Sequence, residues 1–512
     1  MSKSITLRHK KQKVKPEDIT RSITFCDHKF TQMKTAMSKK NLWEKTPLLL
    51  KSTLGRGLGL IPPKWLLGRS FRKNCKFVRE TQLWSAERYH EYQLNKLHEI
   101  LKLAYEKTIF YRRSFDSTGF HPDNFHSLED MHHLPTIDKH VVIDNLSDMC
   151  TKSVGGRDVD YGSTGGTSGV PVHFYLDANR SSFEYAYLTT SWERVGYKLG
   201  MPMAVLRGRT VQPDRNGLCH EYDSILRHHY YSSFHMSDEN MARYLEHITT
   251  IGPCFLHVYP SSVAALARFI VRNNAHVPKN IKDIIAESEI VYPEQRQMVE
   301  EVFGCRYFSC YGQSEKVVLA AGCEQSNDYH VWPTYGFFEL LDDNDNLVNT
   351  PGQRGEIVGT GFINTVMPFI RYRTGDYATY VGNRCEACGR EHTLIRDIRG
   401  HRTQEVLIAG DGSEISWTAL NMHDDTFMNV RQFQFMQEMP GRAVLRIVPA
   451  DGFGEDDAAR IQCNLGRKLM SRLIFSIELV DAISLSRRGK TIYVDQRIQH
   501  KNRIPSGLTD SI

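Results

Sequence analysis

From Trp84 to Thr108 the segment WSAERYHEYQLNKLHEILKLAYEKT brings back Leu, Ile and Tyr every three or four residues, the period of a helix with one apolar face. The serine near its start is a cap for the first N–H groups of such a helix. This stretch is expected to be scaffold. Beyond Tyr161 short β-rich runs alternate with longer helical patterns. MAVLRG from Met203 precedes PSSVAALARFIVRN from Pro260, and KDIIAES from Lys282 precedes YPEQRQMVEEVFG. That alternation predicts an α/β fold with layered β-sheets and helices.

Near Arg399 the texture changes. GHRTQEVLIAGDGSEIS reads as a hairpin about a Gly-Asp-Gly turn, and RQFQFMQEMPGRAVLRIV as a second hairpin turning at Pro440 and Gly441. The pattern divides the chain into a large domain, residues 17–398, and a small α+β domain, residues 399–512. Residues 1–16 precede them as a tail. Between Leu54 and Lys76 the run GRGLGLIPPKWLLGRSFRKNCK interrupts any helical face with Gly and Pro. It is expected to pack irregularly on the large domain, with a membrane-surface anchor as the alternative.

At 512 residues, 40% hydrophobic and 24% charged, the chain can bury a sizeable core and form more than one unit. Its net charge of +6 owes much to Lys3, Arg8, Lys10, Lys11, Lys13 and Lys15. This tail suits peripheral contact with anionic lipid or phosphate, or is simply solvated. The near balance elsewhere gives no reason to expect nucleic acid as a partner. With no apolar run of about 20 residues and no secretory apolar core, a cytoplasmic location is expected. There the 11 cysteines stay reduced, so clustered ones are candidate metal ligands.

Four motifs carry candidate chemistry. In DYGSTGGTSGVPVHF, Ser163, Thr164, Gly165, Gly166, Thr167, Ser168 and Gly169 form a loop between an expected strand and helix. Glycine lets N–H groups face an anion and hydroxyls add donors, so the loop suits phosphate, although a plain surface turn has the same composition. It is neither a Walker loop nor a dinucleotide fingerprint. In YGQSE, Tyr311 can stack on a base and Glu315, beside Gly312, can hold Mg²⁺; an ordinary turn also fits. In RYRTGDYATY, Asp376 can accept from ribose hydroxyls or merely form a turn. Near the carboxyl end Lys490, behind Gly489, can neutralise charge on a transferring phosphoryl group.

The order and approximate spacing of these motifs resemble those of the adenylate-forming enzymes, in particular the phenylacetate–CoA ligase branch and its capsule and surface-polysaccharide relatives. The likeness runs from about Trp84, through LPTIDK at Leu134 to Lys139, to Ile498. It implies a phosphate loop at Thr164 to Gly169, with Ser168 where a second Thr is commoner. It further implies an adenine-stacking Tyr311, a Mg²⁺-binding Glu315, a ribose-binding Asp376 and an adenylation lysine at Lys490. The usual Gly-Arg pair is interrupted by His401, which leaves Arg402 as the second ribose contact and a hinge near residues 402–405.

The implied catalytic residues are Lys490, Glu315 and Thr164. ATP and Mg²⁺ are the implied cofactors, and a carboxylic acid the substrate; YPSSVAAL after Val258 and AESEIVYP around Glu289 are expected to line its pocket, with Glu289 either contacting substrate or capping a helix. The acceptor is coenzyme A or an amine on a sugar, and homodimer formation is compatible with the resemblance. A nucleotide-binding scaffold without turnover and a nucleotidyl transferase are the competing readings.

Cys323, His330, Cys385 and Cys388 offer three thiolates and an imidazole, the donor set of a closed structural zinc site, with His392 as a rival for the histidine place. Such an ion would pin the loop after Glu315 to the segment after Asp376.

Overall fold

The computed structural model describes residues 57–58, 61–153, 158–163, 172–209, 211–214, 217–400, 406–416, 420, 422, 425–470, 472–483 and 493–498. The amino-terminal tail, Thr164 to Gly169, Arg402 and Lys490 lie outside the described residues.

The first long helices are α1 (Gly68–Thr81), α2 (Ala86–Lys107) and α3 (Ile109–Thr118). The Ser85 side chain accepts from the Arg88 N–H and starts α2, which buries Tyr89, Leu97, Ile100, Leu101 and Ala104 along one stripe. Complete burial of Leu97 and of Leu101 contributes about 1.5–3 kcal/mol each. Thr108 ends α2 by donating its hydroxyl to the Ala104 carbonyl at 2.8 Å, and opens α3 by accepting from the Tyr111 N–H at 3.1 Å. Helix α1 corrects the irregular packing expected before Lys76. Gly68 stands at its start rather than within it, and Phe71, Cys75 and Val78 form a buried stripe of helical period.

Two strands, β1 (Val159–Ser163) and β2 (His173–Asp177), pair antiparallel with Ser163 opposite His173. The Gly-rich loop therefore joins two strands, not a strand and a helix as its sequence had implied. After Pro171 the run VHFYLD alternates buried and half-buried positions, the period of a strand. Helix α4 (Arg180–Trp192) follows β2.

The dominant sheet has twelve strands: β3 (Met203–Leu206), β4 (His220–Asp223), β5 (His228–Tyr231), β6 (Cys254–Val258), β7 (Ile281–Ala286), β8 (Tyr307–Gly312), β9 (Leu319–Gly322), β10 (Tyr329–Val331), β11 (Gly336–Leu341), β12 (Arg354–Gly361), β13 (Tyr372–Gly382) and β14 (Leu394–Arg399). Their order is β11-β12-β13-β14-β10-β9-β8-β7-β6-β3-β5-β4. Strands β5, β3, β6, β7 and β8 run parallel, and from β8 to β11 each neighbouring pair is antiparallel. Helices α5 (Asp238–Thr249), α6 (Pro260–Asn273) and α7 (Pro293–Phe303) connect the parallel part. Its central strands β3 (MAVL) and β6 (CFLHV) are buried at every position, as strands covered on both faces are.

The last large-sheet strand ends at Arg399, and the described chain resumes in the small pair β15 (Val406–Ile408) and β16 (Glu414–Ser416). A four-stranded sheet follows, with order β19-β18-β17-β20. It consists of β17 (Val430–Met439), β18 (Arg442–Pro449), β19 (Ile474–Leu479) and β20 (Val494–Gln496), with helix α8 (Glu455–Leu469) between β18 and β19. Both expected hairpins are present, β15–β16 about Gly412 and β17–β18 about Gly441, each glycine in the left-handed region.

Candidate active site

In a parallel sheet the segments leaving the carboxyl ends of the strands gather on one side, where ligands bind. Here a cleft of about 1180 Å³ lies on that side. Its walls include Arg207 after β3, Tyr259 after β6, Glu287 to Ile290 after β7 and Gln313 to Glu315 after β8. The opposite wall comes from Tyr372 to Asp376 of β13 and from Gly400 just past β14.

The residues expected from YGQSE and TGD meet in this cleft. Tyr311 donates its hydroxyl to Asp376 Oδ2 at 2.9 Å and accepts from Gln313 Nε2 at 2.7 Å. Gln313 Oε1 in turn accepts the Val318 N–H, which ties the Tyr311 ring to the turn after β8. Burial, with the Asp376 carboxylate beside it, raises the Tyr311 phenol far above its ordinary value, so the hydroxyl keeps its proton to donate. Glu315 is nearly buried, and its Oε1 accepts from the Tyr372 hydroxyl at 3.0 Å. Gly312 ends β8 within the same wall. Ser163 also lines the cleft, but its hydroxyl is donated to the Met422 carbonyl at 3.2 Å. Lys139, the last residue of LPTIDK, enters the cleft through a strand-like bridge between Ile137 and Tyr372.

A second set of cleft residues was not visible in the motifs. The Glu287 carboxylate accepts from the Trp192 indole at 2.9 Å and from Arg207 at 2.8 Å, and Arg207 reaches Ser288 Oγ at 2.6 Å. Burial alone would raise the Glu287 carboxyl, but Arg207, His257 and the Trp192 N–H together hold it at about 2. Burial and Arg207 lower His257. Its Nε2 stands 2.6 Å from Arg207 Nη1 and 3.2 Å from Glu287 Oε2, so the ring is shared between the two members of the ion pair. Glu287 falls in the AESEIVYP stretch expected to line the acid pocket, and a further sequence signal is a charged residue directly after an apolar strand, as in MAVL before Arg207 and IIA before Glu287. The neighbouring Glu289 caps a helix: it accepts the Ser261 N–H and hydroxyl at the start of α6, at 2.7 and 2.9 Å, and also the Ser416 hydroxyl.

Outside the cleft lining, Cys323, His330, Cys385 and Cys388 place their donor atoms within 4.8 Å of one another. Cys323 and Cys385 Sγ are 3.8 Å apart, and Cys388 Sγ is 3.6 Å from His330 Nε2. A tetrahedral zinc ion with ordinary bond lengths spaces two sulfurs by about 3.8 Å and a sulfur and nitrogen by about 3.5 Å. The donors fit such an ion, and the sulfurs are too far apart for a disulfide. Gly389, in the left-handed region, turns the chain behind Cys385, and the Gln325 N–H donates to Cys323 Sγ. His392 stands outside the donor set, with its Nε2 3.0 Å from the Tyr89 hydroxyl. The quartet connects the turn after β9 to the turn between β13 and β14.

No protein-family profile matches the chain. Among characterised proteins it is 23% identical to Protein CapK of Staphylococcus aureus over 337 residues, spanning 65% of this chain and 72% of that one. It is 24% identical to a phenylacetate-coenzyme A ligase of Thermus thermophilus over 333 residues, 64% of this chain and 74% of the ligase. In fold it is similar to 2-hydroxyisobutyryl-CoA ligase in the postadenylation state with R3-HIB-AMP, at a TM-score of 0.52 and 19% identity, covering 81% of this chain and 90% of that one. The structure with 2-HIB-AMP and CoA in the thioesterification state gives 0.51. In sequence and in fold this chain thus resembles the phenylacetate–CoA ligase-like branch of the adenylate-forming enzymes.

Proposed function

We propose that this enzyme uses ATP and Mg²⁺ to activate a carboxylic acid as its acyl-adenylate, and then transfers the acyl group to coenzyme A or to an amine. The observation that carries the reading is the Tyr311–Asp376 hydrogen bond with Glu315 in the same cleft, at the carboxyl ends of the parallel strands. Two residues suited to a nucleoside and one suited to a cation are thereby held together, although 65 residues separate Tyr311 from Asp376.

In this reading the Tyr311 ring takes the base, and Asp376, oriented by the Tyr311 hydroxyl, accepts from the ribose with Arg402 as its companion. Ser163 and the loop Thr164 to Gly169 take the phosphates. Glu315, oriented by Tyr372, holds Mg²⁺, whose charge offsets that on the phosphate oxygens. The substrate carboxylate oxygen attacks the α-phosphorus, the bond to the β-phosphate oxygen breaks, and pyrophosphate leaves with the electron pair while Lys490 stabilises it. The acceptor then adds to the acyl carbon, loses a proton and displaces AMP.

Arg207, Tyr259 and Glu287, the last braced by the buried Trp192 indole, supply a polar, ordered boundary for the acid. A place in surface-polysaccharide biosynthesis, with an amine on a sugar as the alternative acceptor to coenzyme A, belongs to the same reading. A structural zinc ion on Cys323, His330, Cys385 and Cys388 belongs to the same proposal. So do the division into a large unit up to residue 398 and a lysine-bearing unit after it, and a cytoplasmic location. The described cysteines carry no disulfide and no described helix is long and apolar enough to cross a membrane.

Pyrophosphate release from ATP and Mg²⁺ with a panel of aryl, aliphatic and amino acids, beside Lys490→Ala, tests the reading. Release that depends on one acid and falls roughly 10²- to 10³-fold in the variant is expected. Tight ATP binding without release for any acid would favour the scaffold reading, and AMP retained on the product would favour nucleotidyl transfer.

A further inference from the structure

Three histidines far from the cleft residues converge at the outer edge of the large sheet. His220 on β4 faces Tyr231 across the strand pair, and Tyr222 faces His229 on β5. With a side-chain period of two, these four residues share one face of the hairpin. Helix α5 lies against it and brings in His247, whose ring centroid is 4.3 Å from that of His220. One ring nitrogen from each histidine lies within 4.8 Å of the other two. His220 Nε2 and His229 Nδ1 are 3.1 Å apart. All three rings are half-buried, so an ion can reach them while the backbone beneath stays fixed by the strand pair and the helix.

We propose that His220, His229 and His247 form a second metal site, one that takes a late first-row divalent cation such as zinc. Three imidazoles suit this class of ion, and three nitrogens around a tetrahedral zinc ion lie about 3.4 Å apart. The 3.1 Å pair is already at that spacing. A hydrogen bond between two neutral rings accounts for this pair, but not for the convergence of the third.

His247 carries the outer partner expected of a metal-ligating histidine. Its Nδ1 is 2.7 Å from the hydroxyl of the fully buried Tyr231. With Nδ1–H donated to that oxygen, the Nε2 lone pair faces the other two rings. Asp214 acts electrostatically on His220 and His247 from the adjoining segment, and its negative charge favours a cation there. Three ligands leave the fourth position to water or an exchangeable group. The ion would clip the β4–β5 hairpin to α5.

The test uses the untagged full chain, stripped of metal under reducing conditions and titrated with Co²⁺. Thiolate charge-transfer bands report the cysteine quartet. A further equivalent that adds only the weak visible bands of nitrogen and oxygen ligation reports the histidine site. His229→Gln and His247→Gln should each lose that further equivalent, and one zinc per chain by elemental analysis, while any thiolate signal is kept. A wild-type chain that takes up no cobalt or zinc beyond the thiolate-bound ion overturns the proposal. So does a folded His229→Gln variant with wild-type stoichiometry. The wild-type titration decides the matter even where a variant does not fold.

Discussion

A Cβ placed on Gly400 would stand 2.5 Å from Asp376 Oδ1. A side chain here would press on the end of the Asp376 carboxylate, which yields by turning away. Gly400→Ala should push the Asp376 side chain off the Tyr311 hydroxyl, raising the KM for ATP about tenfold with a smaller change in kcat. Steady-state kinetics with ATP varied check this, and an unchanged KM would disconnect Asp376 from nucleotide binding. Glu287 gives a prediction in pH. Its carboxyl titrates near 2 against an ordinary 4.5, so the folded form favours the ionised group. The stabilisation is complete above about pH 4.5 and is lost as pH falls toward 2. In acid unfolding followed by circular dichroism, Glu287→Gln should be less stable at neutral pH and less dependent on pH across that window. Tyr311, Glu315 and Asp376 were legible in the sequence because short motifs mark them. Of the Arg207–Glu287–Trp192–His257 set only Glu287 was marked, within the AESEIVYP stretch, because the members sit on four separate elements and only folding of the sheet joins them.

At the scale of elements, the link between LPTIDK and β13 rests on a buried ion pair. Arg371 Nη2 and Nε donate to the two oxygens of Glu339 at 2.9 and 3.1 Å, and Arg371 Nη1 donates to the Leu134 carbonyl at 2.5 Å. The two side chains are 5% and 1% exposed. Removing one partner leaves the other charge buried alone, at a cost of about 3–5 kcal/mol. Glu339→Ala should therefore lower the denaturation midpoint by a corresponding amount, and should loosen Lys139 at the cleft wall. Equilibrium unfolding in urea measures the first effect. For the cysteine quartet, chelation or Cys388→Ser should lower the thermal midpoint and should weaken ATP binding, because the turns it joins carry the Tyr311 and Asp376 walls. An unchanged midpoint on exhaustive chelation would argue against a bound structural ion. Period and turn residues made α2, β3, α6, β7, α7, β8 and both carboxyl-terminal hairpins legible. The β1–β2 pair was obscured by its Gly-rich turn, and α1 by the Gly and Pro just before it.

For the whole molecule, the alternation of strand and helix announced an α/β architecture. The twelve-strand order could not be read from it, since β14 inserts beside β10 only through long-range pairing. Long-range packing also sets how the carboxyl-terminal unit is held. Phe234, from the segment after β5, is fully buried in the same apolar cluster as Leu407, Ile415, Phe427 and Leu445, and Tyr259 of the cleft wall packs against that cluster. The ring thus acts as a detent. Swinging the lysine-bearing unit about the proposed hinge at residues 402–405 would pull Phe234 into water, and burying a phenylalanine is worth about 1.5–3 kcal/mol. That holds the unit in its present seat by roughly ten- to a hundredfold, and contacts made in the alternative orientation must supply the difference. Phe234→Ala should flatten this preference, so that the two half-reactions respond in opposite directions.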